Sequence, residues 1–135
     1  MPKQLTFSQE HSYKDDDTGI TLPVVLGSGN ASVVCYAKVD TGSEICLFSL
    51  EDGQRLGLSV DTGLPITIGT LGGPLQAFGH EISLQTENLV FHSLVYFAKY
   101  PGLKRNILGR RGWLRNIRIA VIDYDNLLYL SPYDE

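Results

Sequence analysis

The stretch Ser32-Val33-Val34-Cys35-Tyr36-Ala37-Lys38-Val39-Asp40-Thr41-Gly42-Ser43-Glu44-Ile45-Cys46-Leu47-Phe48 runs apolar into a single aspartate and turns apolar again at Ile45. Branched and aromatic side chains of this kind pack well on a pleated surface, so a strand is expected to feed Asp40 and another to leave the loop. A carboxylate delivered between two apolar strands is costly to keep ionised unless donors hold it. The backbone N-H of Gly42, which has no Cβ to block close approach, and the hydroxyl of Ser43 are the donors the sequence supplies. The plainer alternative is an Asx turn that merely links two strands.

Asp-Thr-Gly recurs at 17–19 and 61–63. The first copy ends a run of aspartates in a polar segment and the third precedes Leu64-Pro65, so both are explained as turn chemistry. Outward from Asp40, Val, Ile and Thr together number 26 against 5 Ala, which favours sheets over helices. An all-β chain is expected, with strands over 20–26, 31–39, 45–48, 65–69, 75–84, 89–98, 117–123 and 127–130. Gly27-Ser28-Gly29-Asn30 supplies a hairpin turn, and Gly69-Thr70-Leu71-Gly72-Gly73 a glycine-rich hairpin tip. Ser49 is placed to cap a short helix over 50–56, and residues 111–116 to form a second helical stretch carrying Trp113 and Leu114. Residues 1–16 are expected to be a polar arm and 17–135 one domain, since 135 residues suit one ordinary domain.

Composition excludes several functions. With 43% hydrophobic residues the chain can bury a core. No apolar run approaches the ~20 residues of a membrane span, and the N-terminus lacks the pattern of a secretory signal, so a cytoplasmic, reducing setting without membrane contact is expected. The net charge of -4 argues against a nucleic-acid partner. Cys35 and Cys46 lack Cys-x-x-Cys spacing and are expected to be buried free thiols, and His11, His80 and His92 are scattered, so no metal is proposed. The 69–73 tip lacks the lysine of a phosphate loop, and Trp113 is expected in the core.

Asp40-Thr41-Gly42-Ser43 between apolar strands, the glycine-rich tip at 69–73, and Ile107-Leu108-Gly109-Arg110 before a short helix resemble, in that order, the retropepsin-like aspartic proteases. The resemblance spans residues 31–116. It implies an acid-protease barrel with one short C-terminal helix, a flap hairpin, and an active site on the two-fold axis of a homodimer. It further implies an aspartic endopeptidase acting on extended peptides, with no cofactor. Two carboxylates would flank one water, one accepting its proton while the other donates to the peptide carbonyl oxygen. Asp61 is separated from Asp40 by only 20 residues, too few for a repeated half-site, so the second carboxylate is expected from the Asp40 of another copy. Such a pair shares a proton and titrates as a unit.

On the same analogy Asp40, Thr41 and Gly42 are the catalytic tripeptide, with Thr41 bonding across the axis. Ser43 would donate to the carboxylate and move activity toward acid pH. Ser43, Glu44 and the flap residues Gly69, Thr70, Leu71, Gly72 and Gly73 would contact substrate, and Pro74 would remove one flap donor. Ile107 and Leu108 would pack beneath the loop, Gly109 would allow close backbone passage, and Arg110 would pair with Glu44. Arg111-Gly112 departs from the acidic or amide residue that commonly precedes the helix in the family. More residues precede Asp40 than in compact retroviral members, leaving three readings of the extra segment: a flexible arm, an interface strand through Leu5 to Phe7, or a piece removed by self-cleavage. Residues 127–130 would join a dimer sheet or form a plain hairpin edge. The rival function is a silent member of the same fold that dimerises or binds peptides without cutting them.

Overall fold

The computed structural model describes residues 2–135. Among them ten strands and one α-helix follow in the order β1 (Gln9–Ser12), β2 (Thr21–Ser28), β3 (Ala31–Val39), β4 (Leu47–Phe48), α1 (Leu50–Arg55), β5 (Leu64–Thr70), β6 (Gly73–Thr86), β7 (Leu89–Ala98), β8 (Asn106–Leu108), β9 (Ile117–Ile122) and β10 (Leu127–Pro132). The all-β expectation holds, and the helix is capped as its sequence suggests, with Ser49 Oγ accepting from the Asp52 N-H at 3.1 Å. No helix among the described residues is long and apolar enough to cross a membrane.

Seven strands form one sheet in the order β2-β3-β8-β4-β7-β6-β5, and β2 also pairs with the end of β6, from Val24↔Thr86 to Gly27↔Ser83. That extra pairing closes the sheet into a barrel. Alternation on β2 sends Leu22, Val24 and Leu26 inward, where they meet Ile82 and Leu84 of β6 and Val95 and Phe97 of β7 in one buried cluster. Each such side chain contributes roughly 1.5–3 kcal/mol by leaving water. Trp113 is wholly buried, as expected, and its indole N-H donates to Thr86 Oγ1 at 3.1 Å, so its polar atom is satisfied.

β6 is long enough to serve two purposes. Residues 77–86 pair with β7 inside the barrel, while Gly73 to Gln76 pair only with β5, so the β5–β6 hairpin projects beyond the sheet. β8 threads between β3, with which it runs parallel, and β4, with which it runs antiparallel. The parallel register Val39↔Leu108 places the residues that follow each strand, Asp40 and Gly109, at the same end of the sheet.

Three expectations are corrected. The helical stretch over 111–116 is only a 3-10 turn at Leu114–Asn116, because Gly112 sits at a φ of 98° and breaks the run. Leu5 to Phe7 form no strand; instead Gln9–Ser12 pairs with β10, and Phe7 lies against Tyr129 with ring centroids 6.1 Å apart. Residues 127–130 are therefore no edge: β10 is the middle strand of the sheet β1-β10-β9, and its two outer strands carry the free edges.

Candidate active site

The Asp40 loop is built from the backbone outward. Asp40 N-H donates to Leu108 O at 3.0 Å, and Ser43 N-H donates to Asp40 O at 3.1 Å, closing a turn. The Gly42 N-H donates to Asp40 Oδ1 at 3.0 Å. The local geometry is thus an Asx turn, and that turn is what fixes the carboxylate. Asp40 is half-buried while Thr41 and Gly42 are exposed, so the carboxylate stands at the surface of the single chain rather than sealed between strands.

The Ser43 hydroxyl does not serve Asp40. It donates to Ile45 O at 2.8 Å, because the chain turns back toward β4 and brings that carbonyl closer. Ile107 and Leu108 lie beside the loop, Leu108 fully buried, and the residues that follow clamp it. Arg110 N-H donates to Ser43 O and Arg111 N-H to Glu44 O, each at 2.9 Å. A Cβ on Gly109 would lie 2.0 Å from Ile45 O and 2.7 Å from Ile45 C, so only glycine fits there, as expected. The side-chain pair expected for Arg110 belongs to Arg111, whose Nε lies 3.3 Å from Glu44 Oε1. Both groups are mostly exposed, so this pair contributes little.

Cys46 completes the clamp from within. Its sulfur accepts from Gly109 N-H at 3.4 Å and its thiol lies 3.5 Å from Arg111 O, toward which it donates. Burial pushes its pKa up to about 11. Cys35 is half-buried, and burial, reinforced by the charge of Asp52, pushes it up to about 12. Both thiols are therefore protonated and poorly nucleophilic at neutral pH.

One group that sequence reasoning missed is Asn106. Its Oδ1 accepts from Ser49 N-H at 3.0 Å, and its Nδ2 donates to Asp52 Oδ2 and to Tyr36 O, each at 3.1 Å. It ties β8 to the cap of α1 and to β3, and it gives the buried Asp52 a partner beside Arg55 Nη1 at 3.0 Å. An asparagine ahead of an apolar pair carries no distinguishing local pattern.

Beside Asp40 opens a cleft of about 600 Å³, walled by Ile45, Leu47, Ile66, Ile68 and Ile107 and bordered by Gly69 and Thr70 of the projecting hairpin. The hairpin turns at Leu71-Gly72 between the partners Thr70 and Gly73, and the Thr70 hydroxyl donates to Gly73 O at 2.5 Å. Leu71 at the tip is fully exposed. A second cleft of about 770 Å³ continues on the other side of the hairpin and shares Leu47, Thr70 and Ile107 with the first.

The remaining Asp-Thr-Gly copies are turns. Thr18 N-H and its hydroxyl both donate to Asp16 Oδ1, and Thr62 Oγ1 donates to Ser59 O at 2.7 Å with Asp61 exposed in the 3-10 turn Val60–Thr62. Asp61 borders a different cleft from Asp40. His11 is engaged by Glu87 at 2.9 Å and His80 by Val60 O at 2.9 Å. Among the described residues no group of three or more His, Cys, Asp or Glu is placed to hold a metal.

The sequence matches no family model and no curated protein. Among solved structures the chain is similar to EIAV protease complexed with the inhibitor HBY-793, at a TM-score of 0.55 and 19% identity, over 73% of this chain and 88% of that one. At this identity the likeness is one of fold, and the architecture is retropepsin-like.

Proposed function

We propose that this chain is an aspartic endopeptidase that acts as a homodimer, in which the Asp40 carboxylates of two copies flank one water. The observation that carries the reading is the Asp40 carboxylate, aimed by the Gly42 N-H at the edge of an apolar cleft that a projecting hairpin borders, in a retropepsin-like barrel. Water oxygen attacks the peptide carbonyl carbon while one carboxylate takes its proton. The other, protonated, carboxyl gives its proton to the carbonyl oxygen. Collapse of the tetrahedral species breaks the C-N bond as the carboxyl that took the water's proton gives it to the amide nitrogen and the other carboxylate takes a hydroxyl proton back, leaving an acid, an amine and the starting pair.

A single chain offers one carboxylate for this chemistry, because Asp17 and Asp61 belong to turns elsewhere and Glu44, which borders the same cleft, is turned to Arg111. Symmetry supplies the second with no further residue. Thr41, which is exposed beside Asp40, bonds across the axis to its mate in the proposed dimer. Gly42 offers backbone to the substrate, and residues 69–73 close over an extended peptide as a flap, excluding water and donating main-chain hydrogen bonds. Ser43 and Glu44 border the cleft, while Ile107, Leu108, Gly109 and Arg110 hold the loop in place.

The test is cleavage of an unstructured protein substrate between pH 4 and 7 by wild type and by Asp40→Asn. The substitution preserves shape and removes the proton acceptor, so the rate should fall by about 10²- to 10⁴-fold. Unchanged cleavage would overturn the assignment. Binding without cleavage by the wild type would point instead to a peptide-binding module.

A further inference from the structure

The cleft on the far side of the flap differs in charge from the one at Asp40. Its wall combines apolar residues such as Leu75, Leu103 and Ile107 with two cations, Lys104 and Arg105, and no carboxylate borders it. Lys104 is exposed and makes no ion pair among the described residues. Arg105 is partly committed on the opposite side of its loop, where Nη1 donates to Thr18 O at 3.3 Å. There the Thr18 hydroxyl and N-H hold the Asp16 carboxyl below its usual range, with Lys14 and Arg105 adding to the effect. A third cation stands near, since Lys99 Nζ donates to Gln76 Oε1 at 3.1 Å and Gln76 lines the same cleft. A chain of net charge -4 therefore presents a locally positive wall beside its candidate site.

We infer that Lys104, supported by Arg105, selects peptide substrates carrying an aspartate or glutamate a few residues from the bond to be cut. The inference rests on the cleft being the peptide site of the proposed protease. The clefts on the two sides of the flap share Leu47, Thr70 and Ile107, so an extended peptide that reaches Asp40 continues along the Lys104 wall. An acidic side chain there meets an unpaired ammonium across an apolar floor, and a neutral isostere leaves that ammonium to water. Next to the bond itself Asp40 and Glu44 repel an acid, and the two-fold axis of the proposed dimer sets a second Lys104 on the far side of the bond, so the preference should be confined to positions set back from the bond on either side.

The experiment compares peptides in which glutamate replaces glutamine at each of several positions around one cleavage site, with wild type, Lys104→Gln and Lys104→Glu. Wild type should favour glutamate at one or two positions by about two- to fivefold in kcat/KM, the range of a single exposed ion pair. The preference should shrink in high salt, vanish in Lys104→Gln and reverse in Lys104→Glu. Cleavage without such a preference, or with a preference that both variants retain, overturns the inference and leaves the protease reading standing. The same peptides are bound to Asp40→Asn and followed by fluorescence anisotropy. Charge-selective binding lost in Lys104→Gln, with no cleavage by wild type, overturns the protease reading and with it substrate selection, leaving Lys104 as an acid-selective residue of a peptide-binding module. Absence of both binding and cleavage overturns both.

Discussion

Gly109 shows how one residue limits where a neighbouring loop can lie. The loop from Asp40 to Cys46 crosses β8 at backbone contact distance, and a methyl group at Gly109 would occupy the position of the Ile45 carbonyl, 2.0 Å away. The obstacle is main chain, which cannot rotate aside as a flexible side chain would. Gly109→Ala should therefore destabilise the protein by about 3 kcal/mol, at the upper end of overpacking effects. Urea unfolding followed by tryptophan fluorescence measures this well, since Trp113 lies buried in the same core. A loss below about 1 kcal/mol would mean that the loop can move off β8 and that the clamp does not fix Asp40.

At the scale of elements, β8 is the hub. It is three residues long, yet it pairs with β3 and β4, and Asn106 at its start bonds to the cap of α1, to Asp52 and to the Tyr36 carbonyl. Asn106→Ala leaves the Ser49 N-H and one oxygen of a buried carboxylate without these partners, and should cost about 2–3 kcal/mol by chemical denaturation. Asn106→Asp keeps the size but sets a second carboxylate against Asp52. It should be the worse variant at pH 7 and should recover relative to Asn106→Ala as the pH falls and one of the pair takes up a proton. Equal stability of the two variants at every pH would show that Asp52 does not depend on Asn106.

For the whole molecule the question is what a second copy adds. The barrel closes on itself through β2 and β6, and β1 folds back onto β10, so the single chain has a complete core without a partner. What it lacks is a second carboxylate at Asp40. Folding and activity should therefore separate. On dilution the proposed activity per chain should fall in proportion to concentration once dimers dissociate, while circular dichroism stays that of a folded sheet protein. Sedimentation velocity at the same concentrations should show the 14.9 kDa species taking over as activity is lost. Full activity in that species would refute the shared site.

Much of this architecture was legible before any coordinates, because the determinants are local. Alternating branched residues mark β2, β3 and β7, Ser49 marks the start of α1, and the apolar approach to Asp40 singles out one Asp-Thr-Gly among three. Glycine at 109 was also readable, since close backbone passage leaves few other choices. Tertiary structure alone decided which partners those groups found. Glu44 met Arg111 rather than Arg110, the N-terminal segment became the partner of β10, and Asn106 reached Asp52 across 54 positions. Strand periodicity and turn chemistry act over a few neighbouring residues, whereas the partner of a given donor or strand edge depends on which distant segments the closed barrel brings within about 3 Å.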